Sequence, residues 1–202
     1  MILLLEYMNY ALGVTGYPGA GKSVVTSIAE EIGFKKVSMG DQIRRRTRED
    51  WGDKLERAEN GVSDETPSEV YGQYATVMRD MNGKGIVAEW CGKEISENDS
   101  PVVIDGMRSP EERDAFEGYV NMDVLFIHAP ASLRFEWIKN RARDNEDAFT
   151  FESFMNRDER ENNWGLNELI QDSDFVVHNC TSEYSFEQDI TDLLTDIRGL
   201  HW

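Results

Sequence analysis

The fold of this chain is decided by eight consecutive residues near its start, Gly16-Tyr17-Pro18-Gly19-Ala20-Gly21-Lys22-Ser23. They match the phosphate-loop pattern G-x-x-x-x-G-K-[ST] at every fixed position. An apolar run over 11–15 predicts a buried strand before the loop, and apolar residues at helical spacing over 24–32 predict a helix after it. A strand, a glycine-rich turn and a helix start form a nest of backbone N–H groups that can wrap a polyphosphate. Because this flanking pattern is present, an ordinary glycine-rich turn is the poorer interpretation.

The chemistry of a phosphate loop assigns roles to its side chains. Lys22 is expected to reach the β- and γ-phosphates of a bound nucleotide, and Ser23 is expected to ligate Mg²⁺. The sequence therefore predicts ATP and Mg²⁺ as cofactors. The predicted donor-binding residues are the whole loop and the residue that follows it: Gly16, Tyr17, Pro18, Gly19, Ala20, Gly21, Lys22, Ser23 and Val24.

Apolar runs that predict strands alternate along the chain with segments that predict helices. After the first strand, further strands are expected near 36–39, 101–105, 124–128 and 175–179. This alternation predicts a parallel sheet covered by helices on both faces. We therefore expect an α/β, three-layer P-loop NTPase fold with a five-stranded parallel sheet, built as one domain over 1–202. The stretch over about 45–92 is too long for one crossover helix, so it predicts a helical insert.

The chain is strongly acidic. Its 202 residues include 39 acidic and 21 basic side chains, for a formal net charge of −18, and the acidic residues are spread along the sequence. Such a surface is typical of a salt-loving organism, in which high ionic strength screens the self-repulsion; an acidic protein of an ordinary organism is the alternative. The basic footprint typical of nucleic-acid-binding proteins is missing, so a nucleic-acid partner is not expected, although a halophile's surface is acidic whatever it binds.

The start of the chain carries no targeting pattern. No apolar run reaches the ~20 residues that a membrane-spanning helix needs, so no membrane partner and a cytoplasmic location are expected. The apolar run at the start is too short for the core of a signal peptide. Because Met8 lies just before the first strand, residues 1–7 are interpreted as an optional extension.

Cysteines and histidines are few. Neither Cys91 nor Cys180 has a metal-ligand neighbour at a useful spacing, and free buried thiols are the expectation. The three histidines, His128, His178 and His201, are scattered in the sequence, so no cluster of them is expected. His128 and His178 each end an apolar run and are assigned no role beyond closing a strand.

A second motif, Ser38-Met39-Gly40-Asp41-Gln42-Ile43-Arg44, follows the second predicted strand. Together with the phosphate loop it resembles adenylate kinase and its nucleoside-monophosphate-kinase relatives. In that family the arginine of this motif binds the phosphate of the acceptor, so the resemblance assigns this role to Arg44, with Asp41 beside it at a helix start. A guanidinium group pairs bidentately with a phosphate, which suits the role. The alternative is an exposed helix arginine.

A third motif, Val103-Ile104-Asp105-Gly106-Met107-Arg108, ends the third predicted strand. An acidic residue at this place, beside the strand of the phosphate loop, can hold Mg²⁺ through water, so Asp105 is a predicted metal ligand. Its alternative role is a helix cap or turn residue. The family motif is Asp-Gly-x-Pro-Arg. Here the arginine comes one residue early, and Arg108 is still expected to face the acceptor phosphate.

A fourth region, over about 141–160, is expected to form a short lid rich in arginine. Arg134, Arg141 and Arg143 lie on or after a predicted helix, and 144–147 resembles a short loop. Arg157 and Arg160 share one face of the next helix. Phosphoryl transfer needs cations over the moving group, so Arg141, Arg157 and Arg160 are predicted to be catalytic with Lys22 and Arg108. The alternative is that these arginines pair with acidic residues in solvent.

From Met8 onward, the order of the motifs resembles an archaeal family of predicted P-loop nucleotide kinases, which is similar to both adenylate kinase and dephospho-coenzyme A kinase. The stretches Arg141-x-Arg143, Arg157-Asp158-x-x-Glu161, Gly165-Leu166-x-Glu168 and 172–179 agree with this resemblance. It implies a phosphotransferase acting on a nucleoside monophosphate or a similar small-molecule acceptor, which the helical insert is expected to bind. A dephospho-coenzyme A kinase-like hydroxyl kinase with Asp41 as base, and an ATPase or nucleotide-sensing module, are the alternatives. A GTPase is disfavoured because no Asn-Lys-x-Asp motif occurs. The oligomeric state is left open.

Overall fold

The computed structural model describes residues 10–96, 100–141 and 150–201, without the side chains of Lys93, Arg141 and His201. The suggested extension over 1–7, Arg143 and the expected loop over 144–147 lie outside the described residues. Everything below refers to the described part of the chain.

The sheet is parallel and has five strands within the described residues, which confirms the predicted fold class. The strands lie in the order β2-β3-β1-β4-β5, so the strand that precedes the phosphate loop is at the centre. All six residues of this central strand are buried. The strands are β1 (Tyr10–Thr15), β2 (Lys35–Ser38), β3 (Val102–Met107), β4 (Asn121–His128) and β5 (Phe175–His178).

Helices follow the strands as the alternation predicts. Several begin at side-chain caps: Ser38 caps α2, Thr66 forms a capping box with Glu69 at α4, and Ser109 caps α6. The helices are α1 (Lys22–Glu31), α2 (Met39–Asp50), α3 (Gly52–Glu59), α4 (Pro67–Asn82), α5 (Ile86–Ser96), α6 (Pro110–Glu117), α7 (Ala131–Arg141), α8 (Phe151–Trp164), α9 (Leu166–Gln171) and α10 (Glu183–His201).

The two faces of the sheet pack against different helices. Along β1, Ala11 belongs to a core shared with α2, α4 and α5, whereas Leu12 and Val14 belong to a core shared with α1 and α10. This alternation follows from the two-residue period of a strand, which sends successive side chains to opposite faces. The chain therefore forms the three layers that the sequence predicts.

The helical insert is larger than expected. It comprises α2 to α5 between β2 and β3, so it begins at Met39, directly after the second strand, rather than near residue 45. A small apolar cluster of Leu55, Ala58 and Val70 joins α3 to α4. Helix α3 has only two buried residues, Leu55 and Ala58, and this short apolar stripe is why the sequence pattern did not reveal it.

The expectation that no histidines cluster is wrong for His128 and His178. His128 and His178 are register partners on β4 and β5, and their ring centroids lie 5.1 Å apart. Cys180 lies beside them and is exposed, so the expectation of buried thiols holds only for Cys91. Strand pairing places residues 50 positions apart side by side, which a local spacing rule does not detect.

The parallel sheet brings the chemically informative segments to one edge. Parallel strands all end at the same side of a sheet, and ligands of open α/β sheets bind there. The phosphate loop follows β1, the motif of Asp41 and Arg44 follows β2, and Asp105 and Arg108 lie at the end of β3. The parallel order of the strands therefore brings the candidate site residues together at one edge of the sheet.

Candidate active site

The phosphate loop makes a tight turn between β1 and α1. Gly16 and Gly21 have φ values of +144° and +105°, in the region that favours glycine. Space is also lacking: a Cβ atom at Gly16 would lie 2.6 Å from the carbonyl oxygen of Ile127, and one at Gly21 would lie 2.6 Å from Asn179 Nδ2. The loop is thus pressed against the ends of the neighbouring strands, and its glycines are required by contact as well as by conformation.

Lys22, the first residue of α1, folds back over its own loop. Its Nζ donates to the carbonyl oxygens of Gly16 at 2.5 Å and Tyr17 at 3.1 Å. Burial lowers the pKa of the Lys22 ammonium to about 8, although the carboxylates of Glu161 and Asp105 act in the opposite direction. A lysine held in this way has its charge next to the loop amides, where an anion would bind.

Arg134 braces the loop from the other side. Its guanidinium donates to the carbonyl oxygen of Pro18 at 3.0 Å and forms a bidentate pair with Asp158 at 3.0 and 2.7 Å. It also lies over the ring of Tyr17, 4.8 Å from the centroid. Arg134 and Asp158 are only 3% and 6% exposed, so this arginine belongs to the structural support of the loop and not to a solvent-exposed lid. This differs from the expectation that Arg134 belongs with the lid arginines.

Ser23 and Asp105 offer the oxygen ligands that Mg²⁺ prefers. Ser23 is exposed in the first turn of α1, next to Lys22. Asp105 pairs in register with Val14 of β1, and its Oδ2 lies 3.9 Å from Lys36 Nζ, which makes it a partly exposed carboxylate near the loop. The donor set of a hydroxyl and a carboxylate fits a magnesium ion bound partly through water.

A cleft opens between the insert and α8, and its lining is strongly basic. Among the described residues it is lined by five arginines and one acid: Arg44, Arg79, Arg108, Arg157, Arg160 and Glu161. Apolar side chains complete the wall, including Met39, Ile43, Tyr71 and Trp164. On a chain with a net charge of −18, this concentration of cations has the electrostatic character that suits an anion.

Four arginines that the sequence predicted are brought together here. Arg44 comes from α2, Arg108 from the end of β3, and Arg157 and Arg160 from α8. Asp41 does not line the cleft: its carboxylate is 68% exposed and pairs with Arg44. The side chain of Arg141 is not described.

Glu161 is a site residue to which the sequence motifs assign no role. It is 3% exposed, and its Oε1 lies 3.5 Å from Arg108 Nε and 3.9 Å from Arg157 Nε. Burial alone would raise its pKa, but the positive charges of Arg108, Lys22 and two further arginines hold the pKa below its usual value. Its four-residue spacing from Arg157 on one helix was the available signal.

A second buried pair holds Arg108 in place. Arg79 of α4 binds Glu112 of α6 at 2.6 Å, and both side chains are at most 5% exposed. The other oxygen of Glu112 accepts a hydrogen bond of 2.6 Å from the Arg108 backbone N–H. The insert is therefore linked to the turn that carries Arg108. Arg79 and Glu112 were not singled out in the sequence because neither lies in a recognisable motif.

Relatives and solved structures agree with this architecture. The model of the AAA domain family matches residues 15–152, which is more than half of the chain. A UPF0200 protein of Methanothermobacter thermautotrophicus is 36% identical over 171 residues, covering 83% of this chain and 80% of the relative. A gluconokinase from Sinorhizobium meliloti has a TM-score of 0.57 at 14% identity, with 94% of each chain covered. A shikimate kinase from Bacteroides thetaiotaomicron has a TM-score of 0.55 at 14% identity, covering 94% of this chain and 98% of its own.

These structural likenesses show the fold, which is that of P-loop kinases. Within the described residues, no helix is long and apolar enough to cross a membrane. The matches over most of the chain, together with the complete phosphate loop, identify the relationship: the chain belongs to the UPF0200 protein family and to the AAA domain family, with a kinase-like P-loop fold.

Proposed function

We propose that the protein is a small-molecule kinase that transfers the γ-phosphoryl group of Mg-ATP to a nucleoside monophosphate or a similar anionic acceptor. One observation carries this proposal: the phosphate loop with Lys22 and the cleft with its arginines meet around the buried Glu161. This arrangement supports the proposal, because a donor bound at the loop and an anionic acceptor bound in the cleft would lie next to each other, as phosphoryl transfer requires.

The donor half uses the residues of the loop. The loop amides and Lys22 would hold the β- and γ-phosphates, while Ser23, and Asp105 through water, would hold the magnesium ion. Mg²⁺ would supply neutralisation of the charge that develops on the phosphate oxygens. On binding, Lys22 would exchange the carbonyl oxygens of Gly16 and Tyr17 for phosphate oxygens.

The acceptor half uses the basic cleft. Arg44 and Arg108 would pair with the acceptor's phosphate, because guanidinium groups bind phosphate oxygens bidentately. Arg157 and Arg160 face the same space from α8 and would neutralise the transferring group, with Arg141 as a further candidate. The Tyr71 and Trp164 side chains provide an apolar wall for the rest of the acceptor, which suits a flat ring such as a base.

The absence of a suitable base in the described cleft favours an acceptor that is already anionic. A hydroxyl acceptor profits from a general base near neutral pKa. Among the described residues that line the cleft, Glu161 is the only carboxylate, and its pKa is held low by the surrounding cations. Asp41, the base considered for a hydroxyl kinase, is exposed and paired with Arg44. A phosphate acceptor needs no base.

A substrate screen tests the proposal. The purified chain with Mg-ATP is supplied in turn with each nucleoside monophosphate, dephospho-coenzyme A, shikimate and gluconate, and ADP formation is measured. We expect a nucleoside monophosphate to accelerate ADP release. Selective acceleration by dephospho-coenzyme A or a sugar acid would establish a hydroxyl kinase instead, and ATP hydrolysis that no acceptor accelerates would establish an ATPase or nucleotide sensor.

Lys22→Ala tests the donor site itself. It should abolish ADP formation while the far-ultraviolet circular dichroism stays unchanged, because Lys22 contributes to charge rather than to the apolar core. Lys84→Ala is the matched control, since Lys84 is a half-exposed lysine outside the cleft. Retained turnover in Lys22→Ala would refute the assignment.

A further inference from the structure

Three side chains of the types that can ligate metal ions lie close together at the carboxyl ends of β4 and β5, outside the cleft that the arginines line. His128 and His178 face each other in register on adjacent strands, and Cys180 follows His178 by two residues. One nitrogen of each imidazole and the Cys180 sulfur all lie within 4.8 Å of one another. Nothing in the proposed kinase chemistry uses these residues.

Packing does not account for the cluster. His178 and Cys180 are exposed and His128 is only partly buried, so none of the three is a core residue. Strand pairing places the two histidines side by side, but it does not require Cys180, which follows β5, to join them. The three side chains are of the types that bind borderline-soft metal ions, and two of them are held on paired strands.

We propose that His128, His178 and Cys180 bind a divalent transition-metal ion of the zinc class. Two imidazole nitrogens and a thiolate suit Zn²⁺ and Co²⁺, whereas Mg²⁺ prefers oxygen ligands. Tetrahedral zinc with bonds of about 2.0–2.3 Å separates its ligand atoms by roughly 3.5 Å. The three ligand atoms lie within 4.8 Å of one another, and small side-chain rotations would bring them to this separation. The Cys180 thiol releases its proton to solvent on binding, and water occupies the fourth position.

The site is connected to the phosphate loop through one residue. Asn179, between His178 and Cys180, donates its backbone N–H to the carbonyl oxygen of His128 at 2.7 Å and its side-chain amide to that of Ala20 at 3.0 Å. A metal ion on the two flanking residues would fix the segment that supports the loop. The proposal does not depend on the kinase assignment, because it rests on residues outside the donor and acceptor sites.

Cobalt titration tests the site directly. The full-length chain is freed of metal with a chelator and titrated with Co²⁺, while near-ultraviolet and visible absorption are recorded. We expect a thiolate-to-cobalt charge-transfer band that saturates at one ion per chain, persists in excess Mg²⁺ and disappears on addition of Zn²⁺. Failure of the band to appear would overturn the proposal.

Variants identify the ligands. Cys180→Ser should remove the charge-transfer band, and His178→Ala should weaken Co²⁺ binding by more than about 100-fold, since loss of an outer-shell partner already costs about 10–100-fold. Cys91→Ala is the matched control and should keep the band, because Cys91 lies on α5 of the insert and is fully buried in the core. A band that survives Cys180→Ser, or that only Cys91→Ala removes, would contradict the assignment. Circular dichroism checks that each variant is folded, and neither readout depends on phosphoryl transfer.

Discussion

Glu161 acts electrostatically on the lysine of the phosphate loop. Its negative charge raises the pKa of Lys22 and so opposes the effect of burial, which lowers that pKa to about 8. In the ligand-free protein, Lys22 is therefore charged below about pH 8 and progressively neutral above it. A neutral Lys22 has lost the charge that attracts the donor's phosphates.

A pH profile tests this coupling. The kcat/KM for ATP should fall as the pH rises through about 8, because this parameter reports the protonation state of the free enzyme. Glu161→Gln should move the fall to lower pH, since it removes a charge that keeps Lys22 protonated. The measurement is ADP formation at limiting ATP between about pH 6 and 10. Glu159→Gln, an exposed neighbour on the same helix, should leave the profile unchanged. An unshifted profile in Glu161→Gln would contradict the coupling.

Gly72 sets the distance between α4 and the cleft arginine of α8. A Cβ atom there would lie 2.6 Å from the Arg160 guanidinium carbon. The guanidinium is the far end of a flexible side chain and can move aside. Gly72 therefore lies at a helical position where alanine would be intrinsically better by about 1 kcal/mol but would displace the Arg160 guanidinium.

Gly72→Ala should therefore stabilise the fold but weaken binding of the acceptor. We expect the free energy of unfolding to rise by up to about 1 kcal/mol, while the KM for the acceptor rises several-fold because Arg160 is displaced. Urea unfolding and acceptor titration measure the two effects. Gly199→Ala is the control, because that helical glycine has nothing within 4 Å of a Cβ atom and offers only the gain in stability. An unchanged acceptor KM would show that Arg160 does not need its present position.

At the scale of elements, α8 is the part that joins the two halves of the site. One face of it supplies Asp158 to the loop through Arg134, and the adjacent face supplies Arg157, Arg160 and Glu161 to the cleft. The loop and the cleft are thus held by one helix. Movement of α8 would change donor and acceptor binding together.

Removal of the Asp158 carboxylate should show whether the phosphate loop depends on its contact with α8. Asp158→Leu leaves Arg134 buried without its partner, and breaking a buried pair costs about 3–5 kcal/mol of unfolding free energy. The double variant with Arg134→Met should recover much of the stability, since an apolar pair replaces the ion pair. Activity should not recover, because Arg134→Met itself removes the hydrogen-bond donor to the carbonyl oxygen of Pro18. Urea unfolding and ADP formation measure the two outcomes.

An exposed ion pair provides the control for the Asp158 and Arg134 variants. Glu59→Gln breaks the exposed Arg48–Glu59 pair and should cost less than about 1 kcal/mol. If Asp158→Leu were no more destabilising than Glu59→Gln, the buried pair would not support the loop.

Residues of the site that lie in contiguous motifs could be predicted from the sequence. The buried residues that hold them in position could not. Lys22, Arg44 and Arg108 lie in short motifs at the ends of strands, and the parallel order of the sheet brings them together. Arg134 and Glu112 have partners 24 and 33 positions away, on other helices. No local pattern encodes such contacts, because they depend on how the helices pack. The pairing of His128 with His178 was missed for the same reason.

Over the whole molecule, the dominant property is the charge of −18. Repulsion among so many surface carboxylates opposes the compact state, and salt screens it over a Debye length of about 10 Å at 0.1 M and about 3 Å at 1 M. The basic cleft is an exception on this surface, so the same salt would also weaken its attraction for an anion.

Thermal unfolding in KCl measures the first of these effects. We expect Tm to rise with salt from about 0.05 M, and a rise that continues above 1 M would support the halophilic interpretation of the sequence. A rise that ends below about 0.3 M would indicate ordinary screening in a merely acidic protein. Sucrose, which strengthens burial without screening charge, is the control. A Tm that does not respond to salt would show that self-repulsion is not a significant cost.

Asn179 and Phe186 contact the phosphate loop, although both lie far from it in the sequence. Both lie behind Gly21 of the phosphate loop, with Asn179 bound to the Ala20 carbonyl and Phe186 about 3.2 Å from a Cβ atom placed at Gly21. A ribosome makes the loop before β5 and α10, because both elements follow it in the chain. The loop of the growing chain therefore lacks these contacts until β5 and α10 have been made, so a product truncated before β5 would lack a supported phosphate loop although it contained the whole motif.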